Sequence, residues 1–87
     1  MSKLFSEGKR LVEEDRYKDY GDPQILWGIV SKLWCVLFKC FGINQKSAVA
    51  AMVMLKLARE MIKSKQDNRD DIEGYAYILG KLEDNNE

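Results

Sequence analysis

One stretch of the chain, from Ile25 to Phe41, constrains the fold more than any other. Apolar side chains occupy most of its positions, and in a helix they cover most of the circumference. A helix of this kind is buried on several sides, so we expect it to be a central helix of a bundle. Because Gly28, Lys32 and Lys39 interrupt the stretch, it is too short and too charged for a membrane span.

Capping residues bound this helix and separate it from its neighbours. Asp22 is a good N-cap, Pro23 suits the first helical position, and Gly42 ends the helix. Asn44 is expected to cap the next helix, and Asp67 the last. No strand pattern is visible, so the predicted fold is an all-α bundle of about four helices with antiparallel neighbours. Residues 1–87 are predicted to form one domain, with helices at 1–15, 23–41, 45–63 and 68–82 and a frayed tail at 83–87.

The chain is short for the amount of apolar surface that it carries. A domain of 87 residues buries only about 60–65% of the surface that its unfolded chain exposes. The helices predicted at 23–41 and 45–63 are both apolar well beyond one face, which is more than a lone small bundle can cover. We therefore expect a homodimer formed through these two central helices, with a tight monomeric bundle as the alternative.

The charge and the cysteine content limit which classes of partner and which cellular compartment we expect for this chain. The 14 basic residues equal the 14 acidic ones, so the chain as a whole lacks the basic excess that non-specific nucleic-acid binding usually needs. The first residues do not form a signal-peptide pattern. Cys35 and Cys40 are expected to be reduced, small side chains of the core. We therefore expect a cytoplasmic protein that does not bind a membrane.

The residues that usually carry catalysis are missing or poorly placed. Without histidine there is no usual nucleophilic triad, and two cysteines alone cannot complete a zinc site. Carboxylates on facing helices hold Mg²⁺ in MazG-like nucleotide pyrophosphohydrolases, and here Asp67 and Asp71 would be the candidates. Because a facing acidic pair on the third helix is missing, the sequence predicts no catalytic residue, no metal and no cofactor.

A basic face on the third predicted helix is a stronger indication of a binding site than the candidate metal ligands are. Lys56, Arg59 and Lys63 lie at positions i, i+3 and i+7, which places them on one side of the helix. With Arg16 nearby, they are suited to hold phosphates or a partner's carboxylates. The alternative is an ordinary solvated face that pairs with Asp71 or Asp67.

Several segments, in their order along the chain, resemble a known pattern. They are Arg16 with residues 19–23, Met52 with Lys56 and Arg59, and Asp67 with Asp71, Ile72, Gly74, Tyr75 and Ala76. Together they resemble a family of small phage and prophage proteins that is known only as a domain of unknown function. The resemblance implies a phage-type protein that acts inside a bacterial host cell. The residues that it highlights are Arg16, Tyr20, Asp22, Lys56, Arg59, Asp71 and Tyr75.

A physical interpretation of this set leads to a binding function. Asp71 would pair with Lys56 or Arg59 inside the bundle, beside the hydroxyl groups of Tyr20 and Tyr75, in a network that is architectural or binds a small anion. We expect a non-catalytic protein that engages a host protein or sequesters a charged ligand, and so modulates a host enzyme or defence system. The alternatives are a minimal Mg²⁺-dependent pyrophosphohydrolase and a nucleic-acid-binding dimer that uses the basic face.

Overall fold

Residues 3–85 are described by the structure, a computed structural model, with every side chain except those at positions 3–6, 15, 17, 84 and 85. Every element in this range is helical. The elements are α1 (Lys3–Arg10), a π-helical segment (Leu11–Arg16), α2 (Tyr17–Tyr20), α3 (Pro23–Phe41), α4 (Gln45–Ile62) and α5 (Gln66–Asn85). The first three follow one another without a break and form one N-terminal segment. The bundle therefore has four helical segments, as the sequence predicts, while the antiparallel arrangement of neighbours stays a prediction.

The helix boundaries follow from local capping chemistry. Oδ1 of Asp22 accepts a hydrogen bond of 2.9 Å from the backbone N–H of Gln24 and so caps α3. Gly42 ends α3 with a φ of 74°, which residues that carry a Cβ rarely adopt. Asn44 caps α4 in a reciprocal capping box: Ser47 N donates to Asn44 Oδ1 at 2.9 Å, and Asn44 N donates to Ser47 Oγ at 2.8 Å.

Several expected boundaries differ from the observed ones, and the three that matter most concern the first and last helices and the tail. The first helix is predicted to end at residue 15, whereas helical structure continues through the π-helical segment to Tyr20. The prediction that Asp67 caps the last helix is wrong, because α5 begins at Gln66 and Asp67 lies within its first turn. There its carboxylate complements the helix dipole instead. The predicted frayed tail is helical as far as Asn85, and positions 1, 2, 86 and 87 lie outside the described residues.

The core lies between α3 and α4, and α4 also packs against α5. It is built around four buried residues, Leu26, Val30, Leu55 and Ala58. The indole N–H of Trp34 donates to the backbone carbonyl of Ala51 at 2.7 Å, which fixes the position of α3 on α4. Tyr20 packs against this core. The end of the N-terminal segment is therefore held beside the C-terminal half of α4, where the basic face lies.

The expectation that α3 is buried on several sides is wrong for the single chain. Its buried residues are Leu26, Val30 and Leu37. On another side of the helix, Ile25 is 60% exposed and Val36 is 63% exposed. The reason is that α4, with the short α2, is what packs closely against α3. A helix with one long neighbour buries one side only, whatever its composition.

Two further properties of α3 follow from this exposure. Contrary to the expectation that this stretch is too short and too charged, α3 is, by length and composition alone, the one described helix that is long and apolar enough to cross a membrane, with a mean hydropathy of 1.4. Only 17% of that window is buried. Cys35 and Cys40 are also exposed, so the expectation that they belong to the core is wrong. Cys35 lies about 160° from the buried Leu37 around the helix axis, and Cys40 lies about 60° from Leu37, at the edge of the side that faces α4.

Candidate functional site

A polar cleft of about 220 Å³ lies where the N-terminal segment meets the end of α4 and the start of α5. Its lining consists of Arg16, Asp19, Tyr20, Lys56, Arg59, Lys65, Asp67, Asn68 and Asp71. All but two of these side chains, Tyr20 and Asn68, are of charged types. The fold thus brings together Arg16, Tyr20, the helix α4 cations and the helix α5 carboxylates that the sequence singles out. We call this site the polar cleft.

Two ion pairs use four of the charges in the polar cleft. Nζ of Lys56 lies 2.8 Å from Oδ2 of Asp71, which joins α4 to α5. Nζ of Lys65 donates to Oδ2 of Asp19 at 2.6 Å, which joins the α4–α5 connection to α2. The hydrogen bond from Lys65 lowers the pKa of Asp19, and the same bond raises the pKa of Lys65. Both groups therefore stay charged at neutral pH.

Arg59 and Arg16 are the two cations of the polar cleft that take part in neither of these ion pairs. The guanidinium carbon of Arg59 lies 5.3 Å from the centroid of the Tyr20 ring, in a cation–π contact. Nε of Arg59 is buried and has no hydrogen-bond partner within the described part of the chain. Neither arginine forms an ion pair with a described carboxylate. A buried donor without an acceptor costs about 1–3 kcal/mol. Because Nε is enclosed by the chain, an oxygen atom supplied from outside would meet the terminal nitrogens of the Arg59 guanidinium.

Glu60 supports the site from the end of α4. Its carboxylate accepts hydrogen bonds from Ser64 Oγ at 2.6 Å, from Lys65 N at 2.9 Å and from Arg69 Nη1 at 2.5 Å. These bonds, that of Ser64 first among them, lower the pKa of Glu60 to about 2. Because the backbone of Lys65 is held in this way, its side chain is positioned to reach Asp19.

Three residues that the sequence singles out do not line the polar cleft. Asp22 caps α3 and so has a structural role. Lys63 is exposed, with Nζ 3.9 Å from Oδ1 of Asp19. Tyr75 is half-buried on α5 and lies one helical turn beyond Asp71. The predicted pairing of Asp71 with a cation of α4 is present. Tyr75, unlike Tyr20, does not line the polar cleft.

Three further residues of the polar cleft, Asp19, Lys65 and Asn68, are not among those predicted from the sequence. Asp19 belongs to the motif at 19–23, so its position beside Tyr20 was a usable signal. Lys65 lies in a short linker and Asn68 in the first turn of α5, where neither has a pattern that indicates a site.

Arg16 ends the π-helical segment. Such segments are rare, are often found at functional sites, and have no sequence signature from which this one could be predicted.

An apolar cleft of about 190 Å³ adjoins the polar cleft. Arg16, Tyr20 and Arg59 line both. The remaining lining residues of the apolar cleft are Val12, Gly21, Pro23, Leu26 and Trp27. The two clefts are therefore neighbours that share one wall.

A larger groove of about 410 Å³ runs between the end of α3, the start of α4 and Leu79 of α5. Lys46 is its one charged lining residue, and this lysine is paired with Glu83. Despite its size, the groove therefore has no unpaired charge that would recognise a charged ligand.

The described residues contain no group of three or more His, Cys, Asp and Glu side chains that could hold a metal ion. Asp71, one of the two candidate metal ligands from the sequence, is engaged by Lys56. Asp67 lines the polar cleft without a partner among the described ion pairs.

The fold and the site define a small all-helical protein with a charged cleft between its N-terminal segment, α4 and α5. The chain belongs to the protein family described as "Domain of unknown function (DUF6378)", whose model matches residues 3–83 and so includes every residue of both clefts. No curated protein and no solved structure matches the chain. The predicted membership of a family of unknown function is confirmed at this level, and a phage origin stays a prediction.

Proposed function

We propose that this protein is a non-catalytic binding protein whose polar cleft takes a small oxyanion, meaning a ligand with a phosphate or carboxylate group. The state of Arg59 carries the proposal. Its guanidinium is held over Tyr20, its Nε is buried without an acceptor, and no described carboxylate pairs with it. A guanidinium held in this way is pre-organised to offer its two terminal nitrogens for parallel hydrogen bonds to an oxyanion.

The charges of the polar cleft favour an anion over a cation. After Lys56 pairs with Asp71 and Lys65 with Asp19, two arginines remain against the single carboxylate of Asp67. The remaining charge is therefore positive. A volume of about 220 Å³ suits a small molecule. Of the two forms of the predicted binding function, sequestration of a charged ligand is thus better supported than capture of a host protein. Action within a bacterial host cell belongs to the same proposal.

Isothermal titration with inorganic phosphate, pyrophosphate and acetate tests the proposal. We expect saturable binding of at least one anion, which weakens as ionic strength rises. Arg59→Gln is expected to reduce the affinity about 10- to 100-fold, because a hydrogen bond to a charged group contributes about 1.5–3 kcal/mol. Arg59→Lys keeps the charge but loses the planar fork, so it should restore only part of the affinity.

Lys81→Gln is the matched control for these variants. It removes one positive charge from α5, where Lys81 lies over the ring of Tyr77, away from the polar cleft. The affinity should not change in this variant. Failure of all three anions to bind the wild-type protein, or an equal loss in Arg59→Gln and Lys81→Gln, would show that the polar cleft is not an oxyanion site.

We further propose that the protein is a homodimer formed through the outer face of α3, defined here by Ile25, Ile29, Leu33, Val36 and Cys40. These positions fall within about 80° of one another around the helix axis. The exposed area supports this proposal. The chain exposes 6600 Å², whereas a compact monomer of 10.1 kDa exposes about 5300 Å². The radius of gyration, 15.2 Å, also exceeds the roughly 12 Å of a compact domain of this length.

The difference of about 1300 Å² is more than the roughly 800 Å² that each partner buries in a standard interface. A second copy of the chain would cover the outer face of α3 with an identical apolar face. Light scattering after size-exclusion chromatography should give about twice the mass of 10.1 kDa.

Val36→Glu places a charge on the outer face and should yield a folded monomer. Gln24→Glu, which adds the same charge elsewhere on α3, is the matched control and should remain a dimer. A wild-type monomer would contradict the dimer, and so would flotation of the wild-type chain with phosphatidylcholine vesicles, because a lipid surface would then be what covers α3.

The pyrophosphohydrolase and nucleic-acid alternatives stay predictions, tested by Mg²⁺-dependent nucleotide turnover and by salt-sensitive binding of DNA.

A further inference from the structure

We infer that the polar cleft and the apolar cleft are two halves of one binding site. The ligand that fits it has an anionic group joined to a flat apolar body, such as an aromatic ring. This inference rests on the proposed function, because Arg59 must bind the anionic group. It adds the chemical class of the remainder of the ligand.

The first argument is that the two clefts adjoin and have three lining residues in common. Arg16, Tyr20 and Arg59 line both of them, and the cation–π pair of Arg59 and Tyr20 forms part of the shared wall. An anion held by Arg59 therefore lies at the border of the apolar cleft. The two volumes together amount to about 400 Å³, within the range of about 300–1000 Å³ that is typical of small-molecule sites.

The second argument is the way in which Trp27 is held. Its ring meets the ring of Trp34 edge-on, with the centroids 6.2 Å apart and the planes at 74°. Trp34 is itself fixed by its hydrogen bond of 2.7 Å to Ala51 O. Yet Trp27 remains 43% exposed, at the apolar cleft. A large aromatic ring in a fixed position beside an apolar cleft is suited to stack against a flat ligand.

The proposed dimer does not occupy this position. Trp27 is two residues from Ile29, so the two side chains lie about 160° apart around the axis of α3. An interface built on the outer face of α3 therefore leaves Trp27 and the apolar cleft uncovered. A small ligand bound at Arg59 would therefore place its anionic group beside Arg16 and Arg59 and its apolar body in the adjoining apolar cleft.

Comparison of phenyl phosphate with methyl phosphate tests the inference, because the two share a phosphate monoester and differ in the flat apolar body. Titration of the wild-type protein should show phenyl phosphate binding about tenfold more tightly than methyl phosphate. Trp27→Ala should bring the two affinities close to each other, because it removes the ring against which the flat body of phenyl phosphate stacks. Trp27→Phe should restore most of the preference, since it retains an aromatic ring.

Tyr77→Ala is the matched control, because it removes an aromatic ring that is 68% exposed on α5 and lines neither cleft. The preference should persist in this variant. Circular dichroism melting of each variant establishes that it is folded. Equal affinities of the wild-type protein for the two esters, or a preference that survives Trp27→Ala, would overturn the two-part site and leave the oxyanion site standing. Absence of binding by both esters would overturn the oxyanion site and this inference with it.

Discussion

Nζ of Lys56 on α4 lies 2.8 Å from Oδ2 of Asp71 on α5, in an ion pair whose lysine side chain is only 15% exposed and whose aspartate is 46% exposed. The pair links two helices and at the same time neutralises one cation of the polar cleft. Its removal should therefore have two separate effects, one on the free energy of unfolding and one on the affinity for anions.

Asp71→Asn is expected to raise the affinity for phosphate while it lowers the free energy of unfolding. The affinity rises because the largely buried Lys56 loses its carboxylate and its ammonium becomes available to the ligand. The stability falls for the same reason. Titration and urea unfolding measure the two effects. A loss of Mg²⁺-dependent nucleotide turnover in this variant, with no gain in phosphate binding, would instead favour the pyrophosphohydrolase alternative.

Acid should destabilise the protein through Glu60. Its pKa in the folded state, about 2, lies below the ordinary value of 4.5, so the ionised carboxylate stabilises the folded state. This contribution is fully present above about pH 5 and is lost as the pH falls from 4.5 towards 2. Urea unfolding at pH 7 and pH 3 should show a smaller difference in Glu60→Gln than in the wild type. Glu73→Gln, at an exposed position of α5, serves as the control, and an equally small difference there would count against Glu60.

Trp34→Phe should lower the free energy of unfolding by about 1–2 kcal/mol, because it removes the hydrogen bond to Ala51 O and part of a half-buried ring. Thermal or urea unfolding measures the change. Trp27→Phe is the comparison, since Trp27 is 43% exposed, and its effect should be smaller. Equal effects of the two variants would mean that the hydrogen bond to α4 adds no net stability.

The two cysteines report on the proposed dimer. Both are exposed in the single chain, but Cys40 belongs to the outer face of α3 and Cys35 lies about 140° away around the helix. Alkylation by iodoacetamide, followed by mass spectrometry, should therefore modify Cys40 more slowly than Cys35. Val36→Glu should speed the modification of Cys40 and leave that of Cys35 unchanged. Equal rates in the wild type would place the interface elsewhere.

Local chemistry accounts for what could be predicted of the helices. A helix is closed by hydrogen bonds between residues four apart, and its ends are capped by adjacent side chains, so the signals lie within a few positions of one another. Asp22 and Asn44 cap α3 and α4 in the way that their positions indicate. Asp67 does not, because the chain enters the helix one residue earlier at Gln66.

The candidate site was predictable only in part. The spacing of Lys56 and Arg59 places both on one face of α4, and the sequence identifies Asp71 as a partner for one of them. The sequence does not predict that Lys56 takes Asp71 while Arg59 stacks on Tyr20. That choice depends on where the end of the N-terminal segment packs, which is a property of the folded chain.

By itself, the amino-acid sequence determined the helical class, the ends of α3, and the presence of apolar side chains around most of the circumference of α3. The tertiary structure alone decided that α3 is covered on one side, and that no carboxylate among the described side chains pairs with Arg59. It also decided that Lys65 meets Asp19 across 46 positions of the chain. The physical reason is that backbone hydrogen bonds and caps act between near neighbours in sequence, whereas burial and ion pairing depend on distances that exist only once the helices have packed.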